Sequence, residues 1–285
     1  MPSRIKVLPA NVANKIAAGE VVERPASVLK ELLENSLDAG STNIGIKIVS
    51  GGTKLVSISD DGSGMNKDDA ILCIERHATS KIHDVDDIEH ITTLGFRGEA
   101  LAAIASVSRF RLTTCPEGNA SGTRISISAG KILDVTDFGC PKGTLVEVRD
   151  LFFNVPARRK FLRSAKTELA HIRDCFIIQA LSHHDVGMSL DVDDKELFRF
   201  AAGSSWLERI SGIFGNELLK TLRPVEYKTP EVHVEGFVSL PSVNRADRNE
   251  QYLFVNNRPT SVPVLNYAIN EGYRTLLPDN RCPVV

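Results

Sequence analysis

The stretch Lys30-Glu31-Leu32-Leu33-Glu34-Asn35-Ser36-Leu37-Asp38-Ala39-Gly40 places a carboxylate, an amide and a second carboxylate at i, i+4 and i+7. At 3.6 residues per turn, Glu31, Asn35 and Asp38 share one narrow stripe of a helix. Val28, Leu29, Leu32, Leu33 and Leu37 fill the neighbouring arc, so the stripe borders a buried face. A glutamate there can polarise a water as general base. The oxygen of an asparagine amide can hold Mg²⁺, a hard cation that takes oxygen ligands and phosphates. One turn separates the two, about 5.4 Å along the axis, which suits a base and a metal at opposite ends of a terminal phosphate. The plain alternative is a solvated polar face. Two details stand against it: asparagine is a poor residue inside a helix, and Glu34 and Asp38 sit in the last turn, where the helix dipole disfavours negative charge.

Further groups come from turns. In Val56-Ser57-Ile58-Ser59-Asp60 the side chains of a strand alternate, which puts Asp60 in phase with Val56 and Ile58. Asp60 reads either as a strand-end residue that opens a turn or as an acceptor for a ligand's amino group, such as that of adenine. Asp60-Asp61-Gly62-Ser63-Gly64 follows, where Gly62 and Gly64 let the backbone come close to a flat ligand. Gly95-Phe96-Arg97-Gly98-Glu99-Ala100-Leu101 runs straight into a helix, and free N–H groups at such a start bind phosphate. Upstream, Arg76-His77-Ala78-Thr79-Ser80-Lys81 adds cations and hydroxyls, and the weakly periodic stretch between reads as a lid or as an ordinary surface loop. G-x-x-x-x-G-K-[ST], a G-x-G-x-x-G after a strand and H-E-x-x-H are all absent, which excludes a P-loop and leaves a dinucleotide fold and a zinc-protease helix without support.

In combination these motifs are similar to the Bergerat-type (GHKL) ATP fold of gyrase B subunits, Hsp90 chaperones, histidine kinases and MutL proteins. E-x-x-x-N-x-x-D-A, D-x-G-x-G, G-F-R-G-E-A-L and Gly143-Thr144 occur in that family's order. Within the group, three strings resemble the MutL family of DNA mismatch repair. They are Ile16-Ala17-Ala18-Gly19-Glu20-Val21-Val22-Glu23-Arg24-Pro25, the stretch from Gly95 to Leu101, and Asn154-Val155-Pro156-Ala157-Arg158-Arg159-Lys160-Phe161-Leu162. The likeness spans essentially the whole chain and is densest over residues 5–165.

The resemblance implies roles. Glu31 would be the general base of a weak Mg²⁺-dependent ATPase, Asn35 the Mg²⁺ ligand and Asp60 the acceptor for the adenine amino group, supported by Thr144. Asp38, Ala39, Gly62 and Gly64 would line the pocket. Thr79, Ser80 and Lys81, with the backbone of Gly95, Phe96, Arg97, Gly98, Glu99, Ala100 and Leu101, would hold ribose and phosphates. Asp61 stands where the family has asparagine and adds a charge near the base without abolishing binding. A second domain, similar to a ribosomal-protein βαβ fold, would reach a lysine to the terminal phosphate from a strand beyond residue 285. The family binds DNA without sequence preference, and Arg158, Arg159, Lys160, Arg163 and Lys166 form the densest basic cluster, with no acid before Glu168. Arg258 is a further candidate. The resemblance also implies an ATP-driven homodimer that links the mismatch sensor MutS to nicking and unwinding enzymes. The rival readings are a nucleotide-gated DNA clamp with negligible hydrolysis and a gyrase-like or chaperone-like subunit.

The elements that must position these residues follow from periodicity. An arm is expected over 1–24, with a short helix around Val12–Ala18. A helix follows from Pro25 to Asp38, then a hairpin from Ile44–Ile48 and Leu55–Asp60 across Gly51-Gly52. Helix is expected from about 67 to Arg76 and from Glu99 to Ala105, strands at Arg109–Thr114, Thr123–Ser128 and Thr144–Arg149, and helix from Glu168 to Leu181. The pattern then restarts with helix at Trp206–Phe214, strands at Val232–Leu240 and Gln251–Val255, and helix at Val262–Arg274. The expected class is α+β: an α/β sandwich with a mixed sheet over 25–203, then a smaller βαβ domain over 204–285 that reads as C-terminally incomplete.

Composition agrees with a folded pair of domains: 42% hydrophobic, 25% charged, net charge −2. That charge gives no nucleic-acid signal by itself, so any DNA surface must be local. The five cysteines form no C-x-x-C pair and read as reduced thiols. No signal peptide and no run near ~18 apolar residues is seen, so no membrane partner is expected and the expected location is cytoplasmic and nucleoid-associated.

Overall fold

A computed structural model describes residues 21–76, 78–81, 93–95 and 98–285. The expected arm up to residue 20, its short helix, His77, Phe96, Arg97 and residues 82–92 of the expected lid lie outside the described residues. The chain divides into two compact units, Met1–Ile177 with Asp185–Gly203, and Ile178–His184 with Ser204–Val285.

The first unit is an α+β structure built on one eight-stranded mixed sheet, ordered β5-β4-β3-β6-β2-β1-β7-β8. Its strands are β1 (Asn43–Val49), β2 (Leu55–Asp60), β3 (Arg109–Cys115), β4 (Gly122–Ser128), β5 (Lys131–Phe138), β6 (Gly143–Arg149), β7 (Gly187–Val192) and β8 (Lys195–Phe200). Every neighbouring pair is antiparallel except β1 with β7. Among the described residues its helices are α1 (Pro25–Asp38), α2 (Lys67–Leu72), α3 (Ala100–Ser106), α4 (Pro156–Phe161) and α5 (Ala165–Ser182), the last of which counts with the second unit from Ile178 on.

Helix α1 forms where the sequence places it. Pro25 supplies the fixed φ of a first turn, and Gly40 takes φ +71° just past the end. Val28, Leu29, Leu32 and Leu33 are all buried to within 2%. They pack with Ile44, Ile46 and Ile48 of β1 and with Val56 and Ile58 of β2 in one apolar layer, where fully burying a side chain of this size contributes roughly 1.5–3 kcal/mol. Phe110 and Leu112 of β3, Ile125 of β4 and Val148 of β6 extend the layer.

Several elements differ from expectation. Helix α2 stops at Leu72 rather than near Arg76. β5 was not expected: almost all its side chains are exposed, so it has no in–out alternation to read. β7 and β8 were missed because their hairpin turns on Asp193-Asp194, both at positive φ (47° and 62°), without the usual Asn-Gly or Asp-Gly signal.

In the second unit, α6 (Trp206–Phe214) opens with a reciprocal cap. Ser205 Oγ accepts from Glu208 N at 3.3 Å, and the Glu208 carboxylate accepts from Ser205 N at 2.8 Å. Helix α7 (Asn216–Thr221) and strand β9 (Leu222–Lys228) follow, neither expected, and β9 pairs antiparallel with β10 (His233–Ser239). The expected strand over Gln251–Val255 shrinks to β12 (Phe254–Val255), paired with β13 (Arg258–Pro259). Strand β11 (Asn244–Arg245) pairs antiparallel with β14 (Cys282–Pro283), and the β12–β13 pair and helix α8 (Pro263–Tyr273) lie between them in the chain.

Phe110→Ala tests the first unit's core. Phe110 is 2% exposed, and truncation should cost about 3–5 kcal/mol. Urea unfolding of the purified chain would measure it, and a loss under about 1 kcal/mol would mean that the layer is not packed as described.

Candidate functional site

A cavity of about 1130 Å³ opens between α1, the ends of β2 and β6, the start of α3, and the loops around residues 63–65, 78–81, 93–95 and 98–99. Of the residues singled out by sequence, Glu31, Asn35, Asp38 and Ala39 line it from α1 and its cap. Asp60, Gly64 and Thr144 line it from the sheet and the first turn. Thr79, Ser80, Lys81, Gly95, Gly98, Glu99, Ala100 and Leu101 line it from the loops and the start of α3. Phe96 and Arg97 lie outside the described residues.

Gly62 is the exception. It is not in the wall, and a Cβ there would stand 2.9 Å from both Ala39 Cβ and Ala39 O. Its smallness lets the turn close on the end of α1, and Ser63 N donates to Ala39 O at 3.0 Å. Gly64 has a positive φ of 64°, and a Cβ would fall 2.1 Å from Cys115 O, so only glycine carries the turn past the end of β3.

Asp60 ends the strand half-buried with both carboxylate oxygens hydrogen-bonded and one acceptor position on Oδ2 left over. Oδ2 accepts from Ser36 Oγ at 2.7 Å, and Oδ1 accepts from Gly62 N at 3.0 Å and Thr144 N at 3.2 Å. Burial pushes its pKa above the ordinary value, against the pull of those donors. Thr144 Oγ1 and Thr114 Oγ1 share a hydrogen bond at 3.0 Å, and Thr114 Oγ1 accepts from Met65 N at 2.9 Å. Ser36 and Thr114 were not foreseen. Ser36 is a polar residue on the otherwise apolar side of α1, and that mismatch was the available signal.

Asp61, next in sequence, behaves in the opposite way. Burial opposes its charge, but Thr42 and Asn43 supply donors from backbone and side chain at 2.6–3.0 Å and hold its carboxyl far below the usual range. It caps the start of β1 and is not part of the cavity wall.

Asp38 resolves the misplaced charge at the helix end. Its carboxylate pairs with Lys81 Nζ at 2.6 Å and accepts from Leu94 N at 2.9 Å and Gly95 N at 3.2 Å. Lys81 Nζ also donates to Asn35 Oδ1 at 3.0 Å. The lysine thus links the amide and the acid of the stripe, and Asp38 gathers Lys81 with the Leu94-Gly95 backbone. Glu34 lies beside the stripe and also lines the cavity; it is buried, and burial pushes it above its ordinary value, with Lys30 3.6 Å away pulling it back.

The basic cluster divides. Arg159, Lys160, Arg163 and Lys166 are exposed, as is Phe161 among them. Arg158 is half-buried, with its guanidinium over the Phe152 ring and Nη1 enclosed. Glu168 is 1% exposed and accepts from Arg163 N at 2.9 Å, so the nearest acid does not offset the surface charge. Arg258 is exposed on β13 of the second unit.

Comparison with known proteins bears on both units. Residues 23–135 match a family described as histidine kinase-, DNA gyrase B-, and HSP90-like ATPase. Residues 210–285 match the family described as DNA mismatch repair protein, C-terminal domain. The chain is 48% identical over 280 residues to the DNA mismatch repair protein MutL of Anaeromyxobacter dehalogenans, covering 98% of this chain and 46% of that protein. It is 47% identical over 285 residues to MutL of Geobacter sulfurreducens, covering 100% and 47%. The chain therefore spans about half the length of these curated relatives. Among solved structures, the Aquifex aeolicus MutL ATPase domain complexed with ADP aligns with a TM-score of 0.67 and 31% identity, covering 88% of each chain. The N-terminal domain of a DNA repair protein aligns with a TM-score of 0.80 at 24% identity, covering 96% of this chain and 85% of that one, which bears on the fold alone.

Glu34 yields a pH prediction. Its folded-state value is raised, so above 4.5 there is a window in which the folded chain keeps a proton that the unfolded chain has lost. Stability then falls as pH rises through that window. Glu34→Gln should gain stability over the parent as pH climbs from about 4 to about 7 and keep the gain above. Urea midpoints that stay parallel across this range would show that Glu34 titrates alike in both states.

Proposed function

Since the chain belongs to the MutL family of DNA mismatch repair proteins, we propose that it binds ATP in the cavity on α1 and hydrolyses it slowly. The observation that carries this reading is the meeting in one cavity of Glu31, Asn35 and the anchored carboxylate of Asp60. Asp60 offers acceptor oxygen to the adenine amino group, while Ser36, Gly62 and Thr144 fix its direction. Glu31 polarises the attacking water, one helical turn from Asn35. Lys81 and the amides of the 95–101 loop hold the phosphates.

The donor set suits Mg²⁺. Asn35 presents one amide oxygen, and among the described residues no group of three His, Cys, Asp or Glu could form a closed metal cage. Mg²⁺ is commonly held by few protein ligands together with waters and substrate phosphates, and when bound it neutralises charge on the phosphates. Asn35 would give up its hydrogen bond from Lys81 to hold it.

For the whole protein, we propose an ATP-dependent homodimer that binds DNA without sequence preference and couples MutS to downstream nicking and unwinding enzymes. The exposed cations Arg159, Lys160, Arg163 and Lys166 supply phosphate contacts, with Arg258 a further one on the second unit. A cytoplasmic, nucleoid-associated location goes with this reading. No helix among the described residues is long and apolar enough to cross a membrane.

Three variants test the site and the surface. Glu31→Ala should keep ATP affinity and lose turnover by about 100-fold or more in a phosphate-release assay. Turnover in the variant at the parent's rate would remove Glu31 as base, and a parent that releases no phosphate above the protein-free background would favour a clamp without hydrolysis. Asp60→Asn should weaken nucleotide binding by calorimetry roughly tenfold or more, since an acceptor aimed at an amino group is replaced by a donor. Lys160→Ala should lower DNA affinity and flatten its log–log salt dependence by about 1. An unchanged slope would take the cluster out of the DNA surface.

A further inference from the structure

The described thiols are not equivalent. Cys115 is the last residue of β3 and is buried; Cys140 lies in the connection from β5 to β6 and is half-buried. Gly122 brings them together. A Cβ on Gly122 would lie 2.5 Å from Cys140 Sγ and 2.9 Å from Cys115 Cβ, so the Cys140 sulfur and the Cys115 side chain stand side by side in the space that glycine leaves. Sheet register supports the same placement: Cys115 pairs with Gly143, three residues after Cys140, while Gly122 pairs with Phe138, two residues before it. Cys115 Sγ is held weakly, donating to Pro116 O at 3.5 Å and Asn119 O at 3.8 Å.

We propose that Cys115 and Cys140 are a modification site, a thiol pair that a hydroperoxide converts to a disulfide in the folded chain, stapling the β5–β6 connection to the end of β3. The reaction balances in two steps. Cys140 gives up its proton and the thiolate attacks the terminal oxygen of the hydroperoxide; an S–O bond forms, the O–O bond breaks, hydroxide (alkoxide, from an organic hydroperoxide) leaves and takes up that proton, and the sulfur is oxidised to a sulfenic acid. The Cys115 thiol then displaces hydroxide from that sulfur. The S–S bond forms, the S–O bond breaks, and the Cys115 proton leaves with hydroxide as water. With hydrogen peroxide, two thiols and one oxidant give one disulfide and two waters.

Two observations direct the chemistry to this pair. Burial pushes Cys73 and Cys175 up to about 12, leaving almost no thiolate at either. Cys140 is raised too, by burial and by its neighbour Cys115, but Arg124 and the Gly122 backbone oppose the shift. Cys140 is therefore a slow nucleophile whose partner is already beside it. The staple also reaches the cavity: Cys115 O is the atom against which Gly64 packs, and Gly64 lines the wall. The proposal is independent of which ligand the cavity takes.

The test is oxidation of the native chain with a small excess of hydrogen peroxide, followed by thiol blocking, protease digestion and peptide mapping, with the thermal midpoint read in parallel. The expected result is one cross-linked peptide pair joining Cys115 to Cys140 and a midpoint raised by about 5 °C or more. Cys140→Ser and Cys115→Ser, each conservative in size, should abolish both effects, and Cys73→Ser should keep both. Oxidation of Cys140 to sulfinic acid without the cross-link would overturn the proposal. So would the same cross-link at equal yield in the guanidinium-unfolded chain, or a cross-link with an unchanged midpoint.

Discussion

Asp60 ends β2, one of the two strands at the centre of the sheet, and its carboxylate is drawn out of water there. A group of that kind destabilises what surrounds it unless its oxygens are met by donors. Each donor comes from a different element: Ser36 from α1, Gly62 from the following turn, Thr144 from β6. Satisfying one carboxylate therefore fixes helix against sheet, closes the turn on the helix end and sets the register of β6, whose residue Thr144 is Asp60's Cα partner. The cavity is bounded by these same pieces.

Adjacent carboxylates in this turn show how position decides chemistry. Asp60 is raised by burial and Asp61 lowered by four donors from Thr42 and Asn43, although one peptide bond separates them. Alternation along the strand sends one side chain to the cavity and the other to the start of β1. The extra acid at Asp61 is thus committed to holding β1 and adds no open charge to the cavity wall. At this same end of α1, Asp38 solves a related problem by recruiting Lys81 and two backbone amides.

What could be read in the chain was whatever is local and periodic. The bounds of α1 follow from Pro25, the apolar arc and Gly40, and the β1–β2 hairpin from alternating isoleucines. The identity of Asp60 was legible, but its company was not: Ser36 is 24 residues away and Thr144 84, and spacing along the chain does not announce such meetings. β5 was illegible because its exposed residues do not alternate; it is held by pairing with β4 and by Arg124 over the Phe138 ring. Gly62 sits against the end of α1 and outside the cavity wall. Its lack of a side chain serves the helix end, whereas Gly64 meets the cavity. Arg158 looked like its neighbours in a run of charge, and only packing against Phe152 separates it from them.

The one parallel pairing in the sheet has a consequence for how the chain is made. β1 meets β2 across a tight turn, but its other edge is taken by β7, with Asn43 opposite Gly187. A hairpin can form as soon as both its strands exist, whereas a pairing of such long sequence separation must first overcome a large loop-closure entropy. On the ribosome, the row Ile44, Ile46 and Ile48 would wait with one open edge until most of the first unit had been synthesised. The growing chain would spend that interval as an aggregation-prone half-sheet. The pairing with β7 is thus the last neighbour contact that becomes possible for β1 as the chain lengthens.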